Sequence, residues 1–128
     1  LFAAIAPCYS GHLSAASYAN PIVRTDIALP VWQCRGEQEL PSEFPGGTAG
    51  ETAARTFWRE TVNQNFSSPA IAIDGRRTTE IWNSGRAEYR WQITSDIGHA
   101  WHPGQARKMW DEMLKRYRRN PDGSLQRL

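Results

Sequence analysis

Eight residues, Ala87-Glu88-Tyr89-Arg90-Trp91-Gln92-Ile93-Thr94, alternate strictly between apolar and polar side chains. A period of two fits a β-strand with one face on a core, and it does not fit a helix. The strand leads into Ile97-Gly98-His99-Ala100-Trp101-His102-Pro103. Beyond that segment the period changes. Ala106, Met109, Trp110, Met113, Leu114 and Tyr117 recur at helical spacing, which predicts an amphipathic helix over Gln105 to Arg119. Strand, glycine turn and helix together put His99 at a strand end, where an imidazole can meet a ligand. The other reading of Gly98-His99 is a turn whose histidine only satisfies local hydrogen bonds.

The rest of the chain supplies the partners such a strand needs. Phe2 to Pro7 is short, apolar and strand-like, and it ends at Pro7-Cys8-Tyr9-Ser10-Gly11. His12 to Asn20 carries at most one loose helical turn before Asn20-Pro21. Ile27 to Gly36 reads as a strand with Pro30 near its start, and it exits through Glu37-Gln38-Glu39. Glu51 to Phe66 shows an apolar stripe at Ala54, Phe57, Trp58 and Val62, with Thr48 and Glu51 spaced as a capping box. Ala70 to Ile73, Asp74-Gly75 and Thr78 to Trp82 read as a hairpin. Trp58, Trp91 and Trp110 fall on apolar stripes and are expected in the core. Pro121-Asp122-Gly123 is expected to end the last helix and leave a frayed tail.

Strands alternating with helices predict an α/β fold. The 128 residues make one domain or part of one. An apolar strand that opens at Leu1 is expected to continue a larger domain upstream. The net charge of +2 is small, and the basic run Lys115-Arg116-Tyr117-Arg118-Arg119 reads as a solvated helix face, so nucleic acid is not an expected partner. The apolar run at the start is too short to span a bilayer, so no membrane association is expected. Cys8 and Cys34 have no metal-type spacing with a histidine, so no zinc site is expected. A bridge between them and two free buried thiols are equally compatible with the sequence.

In α/β sheets, groups that act on ligands sit just past the carboxyl ends of strands. Two such exits carry titratable groups here, Glu37 and Glu39 after one strand and His99 after a later one. A hydroxyl is a poor nucleophile at neutral pH, and an imidazole oriented by a carboxylate makes it competent by taking its proton. Acid before histidine is the chain order of the α/β-hydrolases. A G-x-S-x-G motif does not occur in the sequence, and Ser10 in Tyr9-Ser10-Gly11 is its nearest imitation.

Leu1-Phe2-Ala3-Ala4-Ile5-Ala6-Pro7-Cys8-Tyr9-Ser10-Gly11 resembles the strand that follows the nucleophile helix in α/β-hydrolase serine esterases of the polyhydroxybutyrate depolymerase and feruloyl/acetylxylan esterase group. Pro30-Val31-Trp32-Gln33-Cys34-Arg35-Gly36-Glu37-Gln38-Glu39 resembles the group's acid-bearing strand, with Glu39 where an Asp is usual. Gly98-His99-Ala100-Trp101 is similar to the approach to its catalytic histidine. The resemblance implies the carboxyl-terminal part of an α/β-hydrolase sheet. It makes His99 the base and Glu39 the orienting acid, with Glu37 as the substitute. The nucleophile would come from the missing amino-terminal part of the same domain. It also implies an ester substrate, small or polymeric, and no metal or organic cofactor. Trp101 and Tyr9 are candidate substrate-wall residues. A prolyl-oligopeptidase-like peptidase is the alternative within enzymes, and a noncatalytic, aromatic-rich carbohydrate-binding domain the alternative outside them.

Overall fold

The computed structural model describes residues 3–7, 14–19, 26–40, 42 and 46–128. Its centre is a mixed four-stranded sheet in the order β1-β4-β3-β2. The strands are β1 (Val31–Gly36), β2 (Ala70–Asp74), β3 (Arg77–Trp82) and β4 (Tyr89–Thr94). β1 and β4 are parallel neighbours, with Val31 opposite Tyr89 and Gly36 opposite Thr94. β3 pairs antiparallel with both β4 and β2. On the far side of β1, Ile5 forms a parallel bridge to Val31, and Trp32 N donates to Ile5 O. The apolar segment around Ile5 therefore lies where a further parallel strand begins. The content is α/β, with a mixed sheet and helices on both faces.

Pleating divides the side chains between two cores. Val31, Trp82, Tyr89 and Trp91 are buried on one face with Trp58 packed against them. That face is covered by α2 (Gly47–Thr56), which continues as a π-helical turn over Phe57–Val62. Arg55 lies 4.5 Å over the Trp91 ring and Arg59 over that of Trp82, so the guanidinium groups bury their planes against aromatic faces. The short α1 (Ala15–Ala19) contacts this layer through Tyr18 and Phe57. Trp32 and Cys34 are buried on the opposite face against Met109 and Met113. There the cover is α3 (Gln105–Glu112), followed by a 3₁₀ turn over Leu114–Arg116.

Several expectations need correction. The face of β4 that carries Arg90, Gln92 and Thr94 is buried, not solvated. Polar partners make that burial tolerable. Gln92 Nε2 donates to Gln105 Oε1 at 2.8 Å, and Arg90 pairs with Glu88 and Glu112 while stacking on Trp32. The last helix ends at Glu112, seven residues early, because Met113 leaves helical geometry at φ −135°. Tyr117–Arg119 is instead strand β5, paired antiparallel with β6 (Leu125–Arg127). Pro121-Asp122-Gly123 lies in the turn between them, with Gly123 at φ 87°. The tail is thus a hairpin, tied to the body by Tyr117 Oη donating to Glu88 Oε2. Trp110, for which a core position was expected, is 55% exposed, because α3 turns the line of Met109 and Met113 to the sheet instead. Thr48 sits inside α2 rather than at its cap, which is Gly46, and no side chain caps that end. The strand expected over Ile27 to Gly36 begins at Val31. Before it, buried Asn63 holds Leu29 by accepting from its N–H and donating to its carbonyl.

Candidate functional site at the exits of two parallel strands

Because β1 and β4 are parallel neighbours, their carboxyl ends lie side by side. The two exit segments interlock. Glu37 N donates to Thr94 O and Gln38 N to Ile97 O, both at 2.9 Å. Asp96 takes the left-handed conformation at φ 57°, and its N–H reaches Glu37 Oε2 at 3.2 Å. The closest approach is at Gly36. A Cβ there would stand 2.3 Å from Gly98 O and 2.4 Å from Ile97 O, so only glycine lets the second segment cross the end of β1. Gly98 is not the residue that needs to be glycine. A Cβ on it meets nothing within 4 Å, and its φ is not positive. The left-handed residue of this turn is Asp96.

This crossing brings Glu39 and His99 together across sixty residues of sequence, with Glu39 Oε1 2.7 Å from His99 Nδ1. Their environments differ. The Glu39 side chain is 2% exposed and that of His99 is 44% exposed. Glu39 Oε2 is buried with no hydrogen-bond partner among the described residues. A carboxylate taken from water holds its one partner firmly. With a proton on Nδ1 donated to Glu39, the Nε2 lone pair of His99 is left for a proton from another group. Glu37 does not join the pair, since it is exposed and its carboxylate serves the Asp96 backbone.

Beneath Glu39 lies a second buried carboxylate. Glu51, on α2, pairs with Arg35 Nε at 2.8 Å. Burial raises the Glu51 pKa above the usual carboxylate value, against the lowering by Arg35 and Arg55, and the nearby Glu39 charge raises it further. On the other side, the segment from His99 to α3 is fastened by Arg77. Its Nη2 donates to Pro103 O and its Nε to Gln105 Oε1, both at 2.8 Å. His102 is held below the usual histidine value by lost hydration and by the Arg77 and Arg76 charges. Trp101 is 60% exposed, two residues beyond His99. Among the described residues, no three His, Cys, Asp or Glu side chains converge as metal ligands.

Tyr9, Ser10, His12 and Cys8 lie outside the described residues. Cys34 is disulfide-bonded. Sequence reasoning missed three supports of the site: Gly36, Asp96 and Arg77. A glycine at a strand exit, immediately before Glu37-Gln38-Glu39, was the visible signal for the first. The other two depend on contacts made across strands, which local sequence does not encode. Compared with known proteins, the chain matches no family model, no curated protein and no solved structure.

Proposed function

We propose that this chain is the carboxyl-terminal portion of an α/β-hydrolase serine esterase, with His99 as general base and then general acid and Glu39 as its orienting acid. The observation that carries the reading is the 2.7 Å contact between Glu39 Oε1 and His99 Nδ1. It joins a buried carboxylate to a half-exposed imidazole at the carboxyl ends of neighbouring parallel strands, where ligands meet α/β sheets. In the proposed reaction, Nε2 of His99 takes the proton of a serine hydroxyl as the oxygen attacks the ester carbonyl. Glu39 keeps the other ring proton on Nδ1 and stabilises the imidazolium. The imidazolium then protonates the leaving alcohol. Water, deprotonated by the same ring, releases the acid and restores the serine. The serine and the first oxyanion-hole N–H come from sequence upstream of Leu1. No metal or organic cofactor takes part. Hydroxycinnamoyl or acetyl esters on polysaccharide, or short polyesters, are the proposed substrates, with Trp101 and Tyr9 as cleft walls.

The test is to express the protein with its natural upstream sequence and measure p-nitrophenyl acetate hydrolysis and labelling by a fluorophosphonate. His99→Ala is expected to lower kcat on the order of 10⁴-fold or more, and Glu39→Gln by a factor on the order of 10⁴ through loss of the correct tautomer. Unchanged turnover in His99→Ala sinks the proposal. The 128 residues alone should hydrolyse the ester no faster than their His99→Ala variant. His99-dependent turnover by them would place a nucleophile within the chain, with Ser10 the first suspect.

A further inference from the structure

We infer that β2 is a self-association edge, and that two copies of this protein pair there antiparallel about a two-fold axis through Ala72. β2 is the outermost strand of the sheet, and all five of its residues are exposed. Ile71 is 57% exposed and Ile73 75%, and both project on the face that α2 covers farther in. Phe66, just upstream, is 74% exposed. Three of the seven large apolar side chains most open to water among the described residues thus fall within eight positions.

Sheet edges in monomers carry protection: an inward charge, a bulge, a proline within the strand or a covering loop. Among the described residues, no bulge, proline or covering segment interrupts β2, and its one charge, Asp74, stands at its last position and is paired with Lys108. Its register with β3 is unbroken from Ala70 to Asp74, so its outer N–H and C=O groups form a regular ladder half. No charge lies between Phe66 and Ile73.

The choice of a second copy follows from self-complementarity. A two-fold contact needs one patch that fits itself. With the axis on Ala72, Ile71 of each copy stands opposite Ile73 of the other, and Ala72 meets Ala72. Asp74, whose charge is matched by Lys108 Nζ at 2.7 Å, faces Ala70. Farther out, Arg76 faces Ser68. No like charges meet, and two pairs of isoleucines leave water together. A five-residue strand covers less than a standard interface of about 800 Å² per partner, so the dimer is concentration-dependent.

The experiment is sedimentation velocity on the natural full-length protein from low to high micromolar concentration. The expected result is a reversible monomer–dimer equilibrium. Ile73→Lys, at a position open enough to leave the fold intact, is expected to weaken it roughly tenfold or more, since each dimer loses two cross-strand pairs. Leu128→Lys, an exposed apolar residue elsewhere, should leave the dissociation constant unchanged. As a second readout, Ala72→Cys should give a disulfide-linked dimer under mild oxidation, because the two residues face each other across the axis. A protein that stays monomeric throughout overturns the inference. So does association that Ile73→Lys leaves intact or that Leu128→Lys weakens equally. Species larger than dimers also overturn it, because a two-fold contact closes on itself.

Discussion

Gly36→Ala tests whether the crossing of the two strand exits is what holds His99 against Glu39. The new methyl carbon would lie 2.3 Å from Gly98 O and 2.4 Å from Ile97 O, where ordinary contact begins near 3.4 Å. Both obstacles are backbone carbonyls, so no side-chain rotation relieves the clash. The 97–98 backbone must retreat by about 1 Å, the shortfall to ordinary contact. His99 follows directly, and its 2.7 Å bond to Glu39 then stretches beyond hydrogen-bond range. Overpacking of this kind costs about 1–3 kcal/mol, which lowers Tm by roughly 3–10 °C in a chain of this size. Two assays read the two effects. Thermal unfolding reports the packing cost. Proton NMR reports the Nδ1–H of His99, which a carboxylate partner shifts far downfield and which should be lost in the variant. In the full-length protein, a misplacement of this size is expected to lower ester turnover on the order of 10²-fold. A Gly36→Ala protein with an unshifted Tm and the downfield His99 proton intact would refute the reasoning.

Other perturbations probe the supports of the fold. Asn63→Ala removes both side-chain bonds to Leu29 and leaves a half-buried N–H and C=O unpaired, which should cost about 2–4 kcal/mol in chemical denaturation; a loss under 1 kcal/mol would mean that water replaces the amide. The raised pKa of Glu51 means that the folded state holds its proton more tightly than the unfolded chain does. Its contribution to stability is therefore full below the unfolded value near 4.5 and is lost as pH rises through the raised folded value. Unfolding curves of the native protein and Glu51→Gln, compared at pH 4 and pH 7, should show the native protein losing relative stability towards pH 7; equal changes would remove burial as the cause. Reduction of the Cys34 disulfide should lower stability by about 2–4 kcal/mol, read as a Tm fall in reductant that a Cys34→Ser variant does not show further.

The parts of the fold that were legible in the sequence are those decided by local pattern. Tyr89 to Thr94 could be read as a strand because a period of two has no helical alternative, and the β2–β3 hairpin announced itself through Asp74-Gly75. What covers each face was not legible. The polar side of β4 looked solvated, because Arg90, Gln92 and Thr94 have the composition of a wet face. Only the meeting with Gln105 and Glu112, brought over by α3, makes it a buried network. The same limit explains Tyr117–Arg119. Its apolar spacing fits a helix, but its partner is Leu125–Arg127, and Pro121-Asp122-Gly123 was a turn signal read as a stop signal. At the site, residue types and chain order pointed to Glu39 and His99, and their proximity is visible only once β1 and β4 are paired in parallel. Gly98 drew attention that belonged to Gly36, because a glycine beside a histidine is conspicuous and a close backbone crossing leaves no pattern.

The parallel pairing of β1 with β4 also sets an order of events in time. β2, β3 and β4 form a meander whose strands can zip from short turns, in microseconds for a hairpin. β1 can join β4 only after the intervening α2 and hairpin have folded back, a loop closure that carries a large entropy cost before any contact repays it. Glu39 and His99, sixty residues apart, meet only at that step. The pair is therefore among the last contacts to form on folding and among the first to part when the sheet opens. Hydrogen exchange should find the amides of β3 and β4 protected longer than those of Glu37 to Glu39. A site assembled last is one that the folding chain cannot use until the rest of its sheet is already in place.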